Sequence, residues 1–207
     1  MANEEILRVF NKDYKYLGVN ASRKSCHQKG LYHETFQTFL LSKISYSGLI
    51  YLSRRSSKKK YPHTYEATAG GHILQNERIK SGIRELEEEL GLKVKFKELI
   101  KVGVTHATNQ PNHSQEKGLV NEFANIFMLP YEGAIEKIDF DRNEIEGIIS
   151  LPVSSFLALL DGKLPLTIGT YFDGEKTSIE QLSMNHLTPT GKNYWDYLSS
   201  KLKVALR

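Results

Sequence analysis

The alternation of apolar and polar residues predicts that strands make up much of this chain. In residues 4–23, apolar residues on both sides of the turn sequence NKD are typical of a short hairpin. Further strands are predicted where apolar residues recur at every second position or in short runs. They lie within residues 33–44, 48–56, 93–108 and 119–133 and at the start of 144–163.

Other stretches have the periodicity of helices. A central helix is predicted over residues 77–91, a short helix after Pro152, and a terminal helix over 188–207. The polar stretches 57–66 and 109–118 are predicted to be loops. Strands around a central helix, with further helices to cover them, indicate an α+β fold in one mixed sandwich domain.

The length and composition agree with that fold. The 207 residues are enough for one sizeable core, and 40% hydrophobic with 25% charged residues is typical of a globular protein. We expect an N-terminal hairpin extension over residues 1–30 and the main domain over 31–163. A helical tail over residues 164–207 is expected to pack on the same domain.

Charge and cysteine content restrict the partners and the compartment. The formal charge of +4 and the pI near 9.0 suit an anionic small-molecule ligand, but they do not indicate a nucleic-acid partner. The single cysteine, Cys26, excludes an intramolecular disulfide and favours a reducing compartment. No signal peptide and no apolar run of about 18 residues is present, so we expect a cytoplasmic protein without a membrane span. A homodimer is left open.

Glutamates are concentrated in the predicted central helix. At 100° per residue, Glu85, Glu88 and Glu89 fall within about 100° of one another, while Glu87 falls outside this group. The apolar residues form a separate stripe next to the carboxylates, and Gly91 is a suitable C-cap. The helix therefore presents three carboxylates on one face.

Two interpretations of this acidic face are open. Glutamate is a strong helix former, so the face could simply be solvated. However, no Lys or Arg on the face is spaced to pair with all three charges, and carboxylate clusters are typical ligands of Mg²⁺ or Mn²⁺. The preceding sequence AGG also allows a backbone carbonyl to approach a metal.

The spacing around this face is that of a known motif. Gly71, five residues, Glu77, six residues and then RELEEELGL from Arg84 to Leu92 resembles the Nudix box. The family pattern has seven residues between the positions of Glu77 and Arg84, so this chain is one residue shorter there. The helical half of the motif matches at every position.

The resemblance implies a Nudix α/β/α sandwich with a mixed sheet, and metal-dependent hydrolysis of a diphosphate linkage by water. The implied metal ligands for Mg²⁺ or Mn²⁺ are Gly71, Glu85, Glu88, Glu89 and, on a later strand, Glu122. The implied catalytic residues are Arg84, Glu85, Glu88 and Glu89. Arg84 would orient Glu85, and one glutamate would accept a proton from the attacking water. Glu77 usually fixes the loop to the helix, and the shorter spacing predicts that this contact is shifted.

A second resemblance covers roughly residues 5–160. CHQKGLYHETFQTFLL (26–41) and YLSRRSSKKKYPHTYEATAGGH (51–72) are similar to isopentenyl-diphosphate isomerase and its Nudix hydrolase relatives. In the isomerases, three histidines bind a divalent metal, a carboxylate pair completes the site, and a cysteine before Gly-His carries out proton chemistry. The matching histidines are His27, His33 and His72.

The chain departs from the isomerases in two ways. Gly70 stands in place of the cysteine, and only Glu122 matches the carboxylate pair, with Val120 at the other position. These differences favour a hydrolase on an isomerase-like scaffold. Its substrate would be a nucleoside diphosphate linked to another group, or a related organic diphosphate. An isomerase and a non-catalytic Nudix domain that senses a nucleotide or binds a partner stay open as alternatives.

Two arginines are candidates for substrate binding. Arg54 and Arg55 end a strand, where a guanidinium could bind a substrate phosphate with two hydrogen bonds, or both could be solvated. The lysines at 58–60 would add a field that attracts a polyanion. The loops 57–66 and 109–118 and the segment from 164 onward are expected to determine the substrate.

The remaining histidines and the cysteine have simpler interpretations. His33 is expected to be a structural histidine and His27 to lie at the surface, while both roles stay open for His72. Cys26 has no evident nucleophile partner in the sequence SCHQ and is not expected to be catalytic.

Overall fold

The computed structural model describes residues 4–108 and 119–206, so the predicted loop 109–118 lies outside the described residues. The strands are β1 (Ile6–Phe10), β2 (Tyr16–Ser22), β3 (His33–Leu41), β4 (Leu49–Arg55), β5 (Tyr65–Glu66), β6 (Ala69–His72), β7 (Ile100–Thr108), β8 (Asn121–Pro130), β9 (Ile145–Pro152), β10 (Thr167–Phe172) and β11 (Thr177–Leu182). The α-helices are α1 (Arg23–Lys29), α2 (Arg84–Leu90), α3 (Val153–Leu160) and α4 (Lys192–Ala205).

Most of the strands form one large mixed sheet. Its order is β11-β10-β9-β4-β3-β8-β7, with β5 paired to β4 and β6 paired to β3. The central strand β3 is parallel to β8 and antiparallel to β4 and β6. Strands β1 and β2 form a separate hairpin. The predicted α+β class and mixed sheet are confirmed.

Helices cover both faces of this sheet. Successive residues of β3 point to opposite faces. Phe39 and Leu41 pack in a core that includes α3 and α4, whereas Leu40 packs in a core that includes Leu86 and Leu90 of α2. The sheet therefore lies between two helical layers, which confirms the predicted α/β/α sandwich.

The central helix is shorter than predicted. Residues Ile79–Ile83 form a turn of 3₁₀ helix, and the α-helix α2 begins only at Arg84. Gly91 ends α2 in the left-handed region at a φ of 66°, as the sequence predicts. Only α2 therefore carries the predicted acidic face.

Two further segments differ from the prediction. The sequence does not predict α1, because RKSCHQK has no apolar stripe, yet the Ser22 side chain caps its first turn and Gly30 ends it at a φ of 63°. Strand β7 begins at Ile100 rather than at residue 93, since Phe96–Glu98 form a 3₁₀ turn.

The C-terminal segment contains more than the predicted helix. Residues 164–207 begin with the hairpin β10–β11, which extends the main sheet because β10 pairs with β9. The sequence TIGTYF of β10 is rich in β-branched and aromatic residues, which favour strands. The helix α4 follows where a terminal helix is predicted, and the domain boundaries near residues 30 and 163 stay a prediction. No helix within the described parts of the chain has the length and apolarity needed to span a membrane.

Candidate active site and metal centre

A cavity of about 360 Å³ lies beside α2, between the sheet and the loop that follows β4. Its acidic lining residues include Glu66, Glu85, Glu88, Glu89 and Glu122. Its basic lining residues are Arg23, Arg55, Lys59, Lys60 and Arg84. The structure thus brings every predicted site residue to one cavity except Arg54, which is not in the lining.

The acidic face of α2 forms one wall of this cavity. Glu85 is 7% exposed, and its carboxylate occupies the space that a Cβ atom at Gly71 would fill. Glu89 accepts a hydrogen bond from the backbone N–H of Gly70 at 2.9 Å. Glu88 is the most exposed of the three, with 57% of its side chain accessible.

Burial of these carboxylates makes ionisation difficult. Burial raises the pKa of Glu85 to about 7, although the Arg84 guanidinium opposes the shift. Burial and the charge of Glu85 raise the pKa of Glu89 to about 8. Two neighbouring carboxylates repel each other when both are ionised. A divalent cation bound by both carboxylates offsets this repulsion. The residues therefore fit Mg²⁺ or Mn²⁺.

The Arg84 side chain links the loop and the helix of the glutamate motif. Its guanidinium donates to Glu77 at 3.0 Å and to the carbonyl oxygen of His72 at 3.0 Å. It is also 2.7 Å from a Glu85 oxygen and 2.8 Å from a Glu88 oxygen. Arg84 thus fixes the orientation of two carboxylates of the acidic face.

The predicted shift of the Glu77 contact is wrong. Glu77 bonds Arg84 and also accepts from the backbone N–H of Leu74 at 3.0 Å. The 3₁₀ turn at Ile79–Ile83 offers a physical reason, because a 3₁₀ helix rises about 2.0 Å per residue against 1.5 Å in an α-helix.

A second cluster of metal-ligating groups lies in the same region. One ligand atom from each of His27, His33, His72 and Glu122 lies within 4.8 Å of all the others. Nε2 of His27 is 3.4 Å from Nε2 of His72. An oxygen of Glu122 lies 3.6 Å from His33 Nε2 and 3.7 Å from His72 Nε2. We call these four residues the histidine cluster.

The protonation states in the histidine cluster suit a metal. Burial lowers the pKa of His72 and lowers that of His27 to about 4, so both rings are neutral at pH 7. Although burial opposes it, the neighbouring imidazoles of His33 and His72 hold the pKa of Glu122 well below its ordinary value. Neutral imidazoles and an ionised carboxylate are the forms that bind divalent metals.

Long-range pairing assembles this cluster. His33 of β3 lies opposite Glu122 of β8, and His72 of β6 lies opposite Thr35. His33 Nδ1 bonds the carbonyl of Leu31, while its buried Nε2 has no hydrogen-bond partner among the described residues. A purely structural role for His33 explains the hydrogen bond of Nδ1, but it does not explain the unpaired Nε2.

The expected surface position of His27 is wrong. The side chain comes from α1, which is not predicted from the sequence, and it is half-buried against His33 and His72. Its ring makes edge contacts with both, at centroid distances of 5.2 and 5.5 Å. Recognition of the Ser22 cap and the Gly30 C-cap would have placed His27 on a helix.

The two predicted substrate-binding arginines point in different directions. Arg55 lines the cavity and bonds Glu66 at 2.5 Å and the carbonyl of Lys60 at 2.6 Å. Arg54 instead contacts Glu146 at 2.9 Å and Glu180 at 3.1 Å, and its guanidinium lies 4.4 Å from the centre of the Tyr171 ring. Adjacent strand residues face opposite sides of a sheet, which separates them.

Replacing each arginine by methionine should separate binding from stability. We expect Arg54→Met to lower the free energy of unfolding by about 2 kcal/mol, because Glu146 and Glu180 lose a partly buried partner. Arg55→Met should raise KM for a diphosphate substrate about tenfold, with a smaller effect on stability. Urea unfolding and steady-state kinetics measure both effects, and the opposite assignment of the two effects would refute this division of roles.

Comparisons with known proteins agree with this geometry. The family model described as NUDIX domain matches residues 42–166. An uncharacterized Nudix hydrolase of Clostridium acetobutylicum is 30% identical over 162 residues, which cover 78% of this chain and 76% of that protein. The crystal structure of DR0079 from Deinococcus radiodurans gives a TM-score of 0.52 at 21% identity, covering 76% of this chain and 90% of that one. The structural similarity supports a shared fold.

Proposed function

This chain belongs to the Nudix hydrolase family, and we propose that it uses Mg²⁺ or Mn²⁺ to hydrolyse a diphosphate linkage. The proposed substrate is a nucleoside diphosphate linked to another group, or a related organic diphosphate. The observation that carries this proposal is the acidic face of α2, with Glu85 and Glu89 buried beside the bare backbone of Gly70 and Gly71.

The residues that would hold the metals are Gly71, through its carbonyl oxygen, and Glu85, Glu88 and Glu89, with Glu122 as a further carboxylate in the cavity. When bound there, the metals would neutralise charge on the diphosphate and make a water molecule more acidic. Arg84 keeps the carboxylates of Glu85 and Glu88 in place. A carboxylate of this set accepts the proton of the attacking water.

Positive charge for the substrate comes from the opposite side of the cavity. Arg55, Lys59 and Lys60 all line it, and Lys59 forms an ion pair with Glu144. Arg55 is the last residue of β4, and Lys59 and Lys60 belong to the loop that follows this strand. They provide charged groups that bind phosphate oxygens and hold the linkage near α2.

We further propose that the protein is a hydrolase of the isomerase-like branch. The histidine cluster supports the branch, and it is also the observation that favours the isomerase as a second candidate. Gly70 argues for hydrolysis, because it has no side chain that could transfer a proton. Cys26 is buried in a separate cluster with Leu7 and Val9 and does not line the cavity.

A screen of diphosphate compounds with Mg²⁺ and Mn²⁺ tests this proposal. We expect release of phosphate or monophosphate products from at least one compound, and no conversion of isopentenyl diphosphate to its dimethylallyl isomer. Isomerisation at an enzymatic rate, retained in Cys26→Ala, would contradict the proposal and indicate an unrecognised acid–base pair. Isomerisation that is lost in Cys26→Ala would identify Cys26 as the missing group. The cytoplasmic location stays a prediction.

A further inference from the structure

The floor of the cavity carries two polar side chains that neither metal site uses. Alternate residues of β3 face the same side of the sheet, so Thr35 and Gln37 share a face with His33. Thr35 and Gln37 line the cavity. Thr35 lies opposite His72 in the sheet, and Gln37 lies opposite Gly70. This short strip of β3 therefore begins next to the histidine cluster and faces the same side of the sheet as α4, and it lines the cavity that the acidic face of α2 also lines.

The hydroxyl of Thr35 is buried without a partner. Thr35 is 4% exposed, and its Oγ1 forms no hydrogen bond with any group in residues 4–108 and 119–206. A buried polar group without a hydrogen bond costs about 1–3 kcal/mol, so such groups need an explanation. Since Thr35 lines the cavity, a ligand with an acceptor oxygen would satisfy it.

The carboxamide of Gln37 is held in one orientation. Its Oε1 accepts a hydrogen bond from the hydroxyl of Tyr194 at 2.5 Å. Tyr194 belongs to α4 and is 1% exposed, so the tyrosine itself is fixed by packing. A carboxamide has one acceptor oxygen and two N–H donors. With the oxygen bonded to Tyr194, the N–H donors are directed away from Tyr194.

The position of Gln37 places these donors next to the acidic face. A Cβ atom at Gly70 would lie 3.3 Å from Cγ of Gln37, so the two residues are in close contact. The backbone N–H of Gly70 in turn donates to Glu89 at 2.9 Å. Gln37 and Glu89 thus both adjoin Gly70 and line the same cavity.

We propose that the Thr35 hydroxyl and the Gln37 carboxamide bind oxygen atoms of the substrate diphosphate, and that Tyr194 is a positioning residue for Gln37. Phosphate oxygens only accept hydrogen bonds, and both groups can donate. The inference rests on the proposed function, because it assumes a diphosphate at the acidic face. It also gives α4, which lies beyond the matched residues 42–166, a role in substrate binding.

Binding of methylenediphosphonate, a diphosphate analogue that cannot be hydrolysed, tests this proposal. Isothermal titration calorimetry in the presence of Mg²⁺ gives its Kd for the full-length protein and for Thr35→Val, Gln37→Met and Tyr194→Phe. We expect each variant to bind about tenfold more weakly than the wild type, because each loses or misplaces a donor to a charged oxygen. The control is Tyr197→Phe, the same change three residues further along α4, where the hydroxyl group does not bond Gln37.

The double variant distinguishes positioning from a purely structural role. If Tyr194 acts through Gln37, Tyr194→Phe should weaken binding in the wild type but not in the Gln37→Met background. Melting temperatures report any loss of stability separately. Unchanged Kd values in Thr35→Val and Gln37→Met, or an effect as large in Tyr197→Phe, would overturn the proposal.

The same experiment separates the two proposals. Weaker binding in the variants without hydrolysis of any diphosphate by the wild type would sustain the inference and refute the proposed function. Hydrolysis by the wild type with the same Kd in all variants would refute the inference alone. Absence of binding to the wild type would overturn the inference, and the substrate screen would then decide the proposed function.

Discussion

Glu89→Gln is expected to lower turnover by at least about a hundredfold while the fold persists, and Glu88→Gln should do the same. An amide has no ionised oxygen for a divalent cation. The fold should persist because the amide oxygen introduced by Glu89→Gln can still accept from the N–H of Gly70, which donates to Glu89 in the wild type. Burial and Glu85 oppose ionisation of Glu89, so its replacement by a neutral group should leave the melting temperature equal or higher.

Glu87→Gln is the matched control for this experiment. Glu87 is on the same helix but points away from the acidic face, where it pairs with Lys93 at 3.2 Å. Its replacement should change turnover by less than about twofold, as expected of an exposed ion pair. Turnover close to that of the wild type in both Glu88→Gln and Glu89→Gln, at saturating metal, would show that the acidic face is not catalytic.

Glu122→Gln is expected to weaken Mn²⁺ binding at the histidine cluster by about tenfold to a hundredfold. Groups that merely orient metal ligands already contribute this much to affinity, and Glu122 is proposed as a ligand itself. Glu122 also supplies the negative charge next to three imidazoles, two of which are held neutral by burial. Titration calorimetry with Mn²⁺ should show one class of sites lost in Glu122→Gln and in His72→Gln.

His63→Gln provides the control for the histidine cluster. His63 also lies beside a carboxylate, at 2.6 Å from Glu146, but it is exposed and outside the cavity lining. Its replacement should leave Mn²⁺ binding unchanged. Equal Mn²⁺ stoichiometry and affinity in the wild type and in Glu122→Gln would exclude a metal at the histidine cluster. That result would also exclude Glu122 as a metal ligand and would leave Glu85, Glu88 and Glu89 as the proposed carboxylate ligands.

The sequence predicts those parts of the fold and site that depend on local periodicity. The acidic face is predictable because Glu85, Glu88 and Glu89 are close in sequence and helical geometry alone brings them together. The same holds for β3, β4, β8 and β9, whereas β5, β6, β10 and β11 are not predicted from the sequence. The helix α1 is not predicted because its caps, Ser22 and Gly30, and not an apolar stripe, define it.

The histidine cluster and the roles of the arginines depend on tertiary structure. His33 meets Glu122 only because β3 and β8 pair in parallel, a register that no local pattern determines. Likewise, the sequence does not distinguish Arg54 from Arg55. Only the tertiary structure shows that Arg55, and not Arg54, lines the cavity. The hydrogen bond between Tyr194 and Gln37 joins two segments far apart in the chain and has no local signal.

We propose that this protein hydrolyses a diphosphate linkage by attack of water at phosphorus. The most direct test is turnover of a screened diphosphate with Mg²⁺ in water labelled with a heavy oxygen isotope, followed by mass spectrometry of the products. The predicted result is one labelled oxygen in a phosphate group of a product, formed at least about a hundredfold more slowly with Glu89→Gln. Turnover that gives an isomerised carbon skeleton, with the diphosphate intact and unlabelled, would contradict it.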